Sequence, residues 1–497
     1  MKTANSSNIR TFSYFAVFAL IFVGVSYPFR NFLGDDTYIH LVYADSLQNG
    51  MGWCFNLGEP SYGSTSPLWT GLIAFFGLPF SNNILVAKVL CYVFSLGTIY
   101  VFYLLAKRLI GNPAIVAIAL LTLVIDPWFV RWSLSGMESS LKMFLLLSAL
   151  YIHLRERDND RSKYLSSLLF ALATLARPEV FGIFLIVILD ILINEDRTRK
   201  FTKLLQFVLV YVVILIPWEI YCYKTFGSLL PHTVVAKDFG FNFFSMKRSI
   251  TLISKILGGT YILLLVSMVV YVAGILIQNG PAWFIRKFVR NHLATALPIV
   301  LVLGAYGLRG YPARSIHLLI VIPLLILYGF FALARLIETK QLARFSKVIL
   351  VAVVVFQVSL SAVLQKKLTY HVIHWPRGVD ESLIQLGEWL RDNTPEDALV
   401  AVSEIGVIGY FSKRRILDMN CLITPELKPY KREEDGTMKF LVLKKPDYLI
   451  FTDSRPVPEY LATRVKHHEV AFSRLVQRGG SRSAGKPKQY TIHKLDW

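Results

Sequence analysis

Apolar runs of membrane-crossing length recur through the first three quarters of this chain, and they leave it few folds to choose from. Lipid offers no partner to a backbone N–H or C=O, so a crossing segment must be helical and about 20 apolar residues long. Runs near 12–29, 84–106, 113–126, 138–154, 164–176, 179–193, 204–222, 250–277, 292–308, 315–337 and 346–364 read as about eleven membrane segments. Hydrophobic residues make up 54% of the 497, above the average of a soluble domain. The expected architecture is a polytopic α-helical membrane domain over residues 1–364, with a large first external loop at 30–83. A soluble α/β domain follows over 365–497.

The first run, behind Lys2 and Arg10, also has the outline of a signal peptide. Tyr27-Pro28-Phe29-Arg30 stands where small residues would mark a cleavage site, so an uncleaved first span is expected. The pair 164–176 and 179–193 is short and meets at Arg177-Pro178-Glu179, as two partial spans would at a polar point.

A net charge of +20 raises the question of nucleic acid, and its distribution answers no. Much of the excess sits in short loops between apolar runs: Arg155 to Lys163, Arg197 to Lys203, Arg286 to Arg290 and Arg335 to Lys347. With Lys2, Arg10, Lys107 and Arg108 they place the N-terminus in the cytoplasm, and the first loop and the tail on the opposite side. The four cysteines have no CxxC or metal-ligand spacing. Cys91 and Cys222 lie in apolar runs as packing residues, and a Cys54–Cys421 disulfide is a minor alternative.

The first loop opens with two adjacent carboxylates, Asp35 and Asp36, close to a bilayer edge. There they repel each other and are costly to desolvate. One aspartate suffices to cap a helix running to about Asn49, with Gly50 as its stop, so the second needs another purpose. Ile39, Val42 and Leu47 mark one face of that helix, and Asp36, His40 and Tyr43 another. Ser66-Pro67 starts a second helix with serine as cap and proline at the first position. In the tail, Asp380 to Arg391 reads as a helix. Ala398 to Ser403, Arg415 to Asp418, Tyr448 to Phe451 and Gln489 to His493 read as strands, with helices near Ile405 and Met438 between. Glu404 and Asp418 read as structural carboxylates, and Gln477 to Lys488 as a mobile loop.

The segment from Asp35-Asp36-Thr37-Tyr38-Ile39-His40 through Gly50-Met51-Gly52-Trp53 and Gly58-Glu59-Pro60 to Tyr62-Gly63-Ser64-Thr65-Ser66-Pro67-Leu68-Trp69 resembles a known signature. It is the large-loop block of C-type, polyprenyl-phosphate-sugar-dependent membrane glycosyltransferases, in the branch of the mycobacterial terminal arabinofuranosyltransferase. Later pieces follow in the same order. They are Ser135-Gly136-Met137-Glu138, Ala176-Arg177-Pro178-Glu179, Phe226-Gly227-Ser228 through Pro231-His232-Thr233 with Ala236-Lys237, and Ser403-Glu404-Ile405-Gly406 through Phe411 with Asp418. Relatives carry asparagine where His232 stands, which changes that polar contact or makes it pH-sensitive. The stretch Arg309 to Arg314 matches only loosely.

The resemblance implies a bacterial cytoplasmic-membrane enzyme that moves a sugar from a polyprenyl phosphate to a glycan or glycolipid, with inversion and no covalent sugar intermediate. Asp35 and Asp36 are the catalytic candidates, Asp35 first as general base. Tyr38, His40, Glu138, Arg177, Glu179, His232, Lys237 and Arg314 are the candidates for donor and acceptor binding. Such chemistry needs a base for the acceptor hydroxyl and positive charge for the departing phosphate. A divalent cation between Asp35 and Asp36 is the one cofactor left open. A transporter or flippase would instead show repeated halves and charges at mid-membrane, and a silent scaffold would not need both aspartates.

Overall fold

The structure, a computed structural model, describes residues 15–80, 82–158, 163–229, 231–232, 242–308, 313–375, 381–451, 456–476 and 488–497. Lys237 and Asp380 lie outside the described residues, as does most of the loop expected at 477–488.

The chain is an integral membrane protein built on apolar helices. They are α1 (Phe15–Phe29), α2 (Asp35–Gln48), α3 (Pro67–Gly77), α4 (Asn83–Leu109), α5 (Pro113–Val124) and α6 (Pro127–Ser133). Next come α7 (Ser139–Asp158), α8 (Tyr164–Ala176), α9 (Phe181–Asn194), α10 (Arg197–Phe226) and α11 (Phe243–Leu257). Then α12 (Ile262–Trp283), α13 (Arg290–Leu308), α14 (Ile322–Ile337) and α15 (Ser346–Trp375) complete the set.

Four described helical stretches are long and apolar enough to cross a membrane, namely α4, α10, α12 continued into α13, and α15, or five if α5 and α6, bent by 55°, form one crossing. Shorter apolar helices lie at α1, α3, α8 and α14, and local chemistry breaks some of the expected runs. Asp126 closes the run expected at 113–126, its carboxylate accepting from the N–H groups of Trp128 (3.1 Å) and Phe129 (2.8 Å) to start α6 beyond it. The run expected at 250–277 is split, because α11 ends at Gly258-Gly259 and α12 begins at Ile262. The run at 315–337 opens with a 3-10 turn, Ser315–Ile320. Helices α8 and α9 are separate and meet at Arg177-Pro178-Glu179, as expected.

Helix α7 spans 20 residues, about 30 Å, and separates two polar clusters. At its far end His153 meets Asp190 (2.8 Å), Lys163 and Lys203 share Glu195 (3.0 and 2.9 Å), and Asn194 bonds the Arg290 carbonyl (3.0 Å). Three of the basic loop clusters named above therefore share one end. Glu138 and the first loop occupy the other.

The tail holds α16 (Glu381–Asn393), α17 (Ile405–Ser412), α18 (Gly436–Lys444) and a five-stranded sheet. Besides a first-loop hairpin, β1 (Cys54–Asn56) and β2 (Glu59–Pro60), the strands are β3 (Leu399–Val402), β4 (Arg415–Asp418), β5 (Tyr448–Phe451), β6 (His467–Val476) and β7 (Lys488–Asp496). The order is β4-β3-β5-β7-β6, with β3 parallel to β4 and β5, and β7 antiparallel to β5 and β6. Strand β6 was not legible in its polar sequence, and β7 runs longer than expected. Helix α15 continues past 364 to Trp375.

The tail is fastened to the first loop. Asn56 mimics a neighbouring strand, its amide donating to the Ile416 carbonyl (3.0 Å) and accepting from the Ile416 N–H (2.8 Å). Lys413 pairs with Asp45 at 2.9 Å, and Arg415 pairs with Glu59. Cys54 and Cys421 are both buried free thiols, so the disulfide alternative is not realised.

Candidate active site

Neither Asp35 nor Ser66 caps its helix by side chain, contrary to expectation. Gly34 occupies the N-cap position of α2, and the Ser66 hydroxyl makes no cap bond to α3. Tertiary contacts claim Asp35 instead. Its Oδ1 accepts from the Val407 N–H of α17 at 2.8 Å. Gly406 lies so close that a Cβ there would strike the Asp35 carbonyl and sit 2.8 Å from Oδ1. The tail thus seats directly on the first acid of the first loop.

The loop before α7 is locked onto the same region. Thr37 Oγ1 donates to the Ser135 carbonyl (2.8 Å), and the Trp69 indole donates to the Gly136 carbonyl (3.1 Å). Gly136 has φ +78°, and a Cβ would meet Leu33 at 2.5 Å and Thr37 at 2.7 Å, so both backbone conformation and space call for glycine. This turn aims Glu138 inward. Fully buried, it lies 3.1 Å from His40 Nε2 and 3.1 Å from Arg177 Nε. Arg177 also meets Glu179 (3.2 Å) and donates to Thr65 Oγ1 (3.1 Å), while Lys142 reaches Glu179 at 3.3 Å. The opposite ring nitrogen of His40 lies 3.0 Å from the Ser64 hydroxyl and 3.2 Å from that of Thr70.

Above this network lies a cavity of about 360 Å³. Its acidic lining is Asp35, Asp36 and Glu404, and its basic lining is Arg177, Arg314 and Lys431, with His40 and His317. Arg314 and Asp36 face each other at 3.4 Å, both exposed. Burial pushes the Asp35 carboxyl up to about 8, and the neighbouring Asp36 and Glu404 carboxylates add to this against the Val407 and Gly406 N–H groups. Glu404 is raised as well, first by burial and then by Asp36, with Arg314 opposing. Among the described residues no three His, Cys, Asp or Glu side chains are grouped to hold a metal ion.

Of the candidates, the cavity gathers Asp35, Asp36, His40, Arg177 and Arg314. Glu138 and Glu179 stand behind Arg177 and brace it. Tyr38 is not on the cavity wall and packs against Tyr410 and Phe411 of α17 at 5.5 and 5.7 Å. His232 stacks edge-on to Tyr62 and Phe226, 6.4 Å from each, away from the cavity lining, and burial depresses its pKa. Glu404, Lys431, Asn420 and His317 line the cavity without having been singled out as binding residues. Ser403-Glu404-Ile405-Gly406 was a visible signal, because it lay inside a matching piece. Asp418 accepts from the N–H groups of Asn420 (2.6 Å), Ile423 (3.0 Å) and Leu422.

The buried pair behind Arg177 carries a stability prediction. Glu138→Ala leaves two buried cations, Arg177 and Lys142, facing the single carboxylate of Glu179, and should cost about 3–5 kcal/mol. A thermal unfolding midpoint in detergent measures this. Glu433→Ala, which breaks the exposed pair with Lys439, should leave the midpoint nearly unchanged.

Residues 64–221 match the family model of dolichyl-phosphate-mannose-protein mannosyltransferases, and residues 371–493 match a domain of unknown function. No curated protein matches by sequence. Among solved structures, ArnT from Cupriavidus metallidurans in the apo state aligns with a TM-score of 0.63 at 14% identity, covering 98% of both chains. The same protein bound to undecaprenyl phosphate aligns with a TM-score of 0.63 at 13% identity, over 96% of this chain and 97% of that one. The arabinofuranosyltransferase AftD from Mycobacteria gives 0.52 at 14% identity over 98% of this chain, which spans only 40% of that protein's length. The Archaeoglobus fulgidus oligosaccharyltransferase gives 0.59 at 14% identity, over 88% of this chain and 67% of that one. The fold is that of the C-type membrane glycosyltransferases.

Proposed function

We propose that this chain, which shares the fold of the C-type membrane glycosyltransferases and matches a mannosyltransferase family model over residues 64–221, is an inverting glycosyltransferase that takes its sugar from a polyprenyl phosphate. The acceptor is a glycan or glycolipid on the extracytoplasmic side. The observation that carries the proposal is one cavity in which the Asp35 and Asp36 carboxylates stand opposite the Arg177 and Arg314 guanidiniums. The undecaprenyl phosphate of the structurally similar ArnT supports a lipid phosphate as the donor's leaving group.

The roles follow from charge. Asp35 takes the proton from the acceptor hydroxyl as its oxygen attacks the anomeric carbon. The bond from that carbon to the phosphate oxygen breaks, and the electron pair leaves with the polyprenyl phosphate. Arg177 and Arg314 receive the developing negative charge, which a planar guanidinium pairs with through two N–H groups. Glu138 and Glu179 hold Arg177 in place beforehand, so no reorganisation is needed when charge develops. One displacement inverts the anomeric centre.

Incubation of the purified chain with a defined polyprenyl-phosphate sugar and an acceptor glycan tests this. Proton NMR of the product should show inverted configuration, with free polyprenyl phosphate released one for one. Retained configuration would remove the single displacement, and translocation of the lipid-linked sugar without transfer would favour a flippase.

A further inference from the structure

The strongest unassigned feature is α11. Its sequence holds Lys247, Arg248 and Lys255 and no acidic residue. All three cations are exposed and line an open groove with Phe244, Thr251 and Leu252. Arg248 stacks on Phe244 at 5.5 Å, and among the described residues no carboxylate pairs with any of the three. Beside them Phe243, Phe244 and Ile250 are also exposed, by 66%, 67% and 46%. The other side of the helix, with Ser245, Ser249 and Ile256, is buried.

Water suits the cations and not the aromatic rings, and hydrocarbon suits the rings and not the cations. Both are satisfied at the boundary between acyl chains and anionic headgroups. Lys247 and Lys255 are eight positions apart, about 12 Å along the helix, which is longer than a single phosphate and matches a row of headgroups. By loop charge α11 also falls on the cation-poor side of the chain, so orientation does not account for its cations. The helix is tied to the cavity as well. Ser249 Oγ accepts from the Ala313 N–H at 2.9 Å, and the next residue, Arg314, faces Asp36.

We propose that α11 is a docking surface for the phosphodiester headgroups of anionic phospholipids, holding the segment that presents Arg314 against the membrane beside the cavity. Binding is a property of the helix and is read without any transfer reaction, so it stands or falls separately from the proposed activity.

Native mass spectrometry of the full chain from mixed micelles of phosphatidylglycerol and phosphatidylcholine measures the preference. The wild type should retain phosphatidylglycerol selectively. Each cation removed in the series K247Q, R248Q and K255Q should lower that preference about fivefold. The K247R/K255R variant should keep it. Unchanged selectivity in the triple glutamine variant, or none in the wild type, would overturn the proposal. Hydrogen exchange on the unmodified chain gives a second reading, with residues 243–257 better protected in phosphatidylglycerol than in phosphatidylcholine nanodiscs. Equal protection in both, or displacement of phosphatidylglycerol by equimolar polyprenyl phosphate, would equally count against it.

Discussion

Replacing Asp35 with asparagine should lower sugar transfer by about 10²- to 10⁴-fold, the usual contribution of a positioned acid–base group. The substitution keeps shape and the acceptor atom for the Val407 N–H, so the seat of α17 survives and the loss is chemical. The pH profile is the sharper readout. A base works when deprotonated, and the Asp35 carboxyl is held at about 8, so wild-type transfer should rise with pH and level off above about pH 8. Asp36→Asn removes a neighbouring negative charge that helps to hold Asp35 up. Its midpoint should therefore move to lower pH, whatever happens to the maximal rate. A profile in which D36N abolishes transfer and D35N merely slows it would exchange the two roles.

Gly406→Ala should also be damaging, although less so, and residue 406 offers no side chain to the reaction. The added methyl would strike the Asp35 carbonyl and crowd Oδ1. Backbone cannot yield as a flexible side chain does, so α17 must back away and release the Val407 N–H bond. Overpacking of this kind costs about 1–3 kcal/mol, enough to lower transfer about 10- to 100-fold. Gly274→Ala, in α12 with nothing within 4 Å, should be silent by comparison. The two variants are compared by transfer rate and by limited proteolysis, where loosened seating should expose residues 365–497 sooner in Gly406→Ala alone. Equal rates and equal proteolysis would show that the tail does not hold Asp35.

Much of the fold was legible because one-dimensional patterns report it directly. Apolar run length announced the membrane helices, and the short continuous apolar runs Val400-Ala401-Val402 and Ile416-Leu417 announced buried strands. Strand β6 escaped, since His467-His468-Glu469 and Ser473-Arg474 belong to an outer strand that, among the described residues, pairs with β7 alone. Breaks inside the apolar runs were less legible for a related reason. An apolar run marks burial or lipid equally, and Gly258-Gly259 breaks the run at 250–277 that composition alone would join.

At the site, Asp35, Asp36, His40, Arg177 and Arg314 were identified from motif and charge, and they do share a cavity. Tyr38 and His232 were not separated from them, because an aromatic or imidazole ring near a motif can face either a cavity or a packing partner. Glu404 was read as structural, since a lone carboxylate has no ligand spacing to mark it.

By itself the sequence determined that the chain lives in a membrane, that its first loop carries an unusual acidic pair, and which order of motifs surrounds that pair. These are local properties, written in runs and neighbours. Only the tertiary structure decided what the acids face. It brought Gly406 and Val407 across more than 370 positions onto Asp35, set Arg314 against Asp36, and buried Glu138 behind Arg177. Protonation and charge balance depend on distance through space and on exclusion of water, and neither quantity is carried by position along a chain.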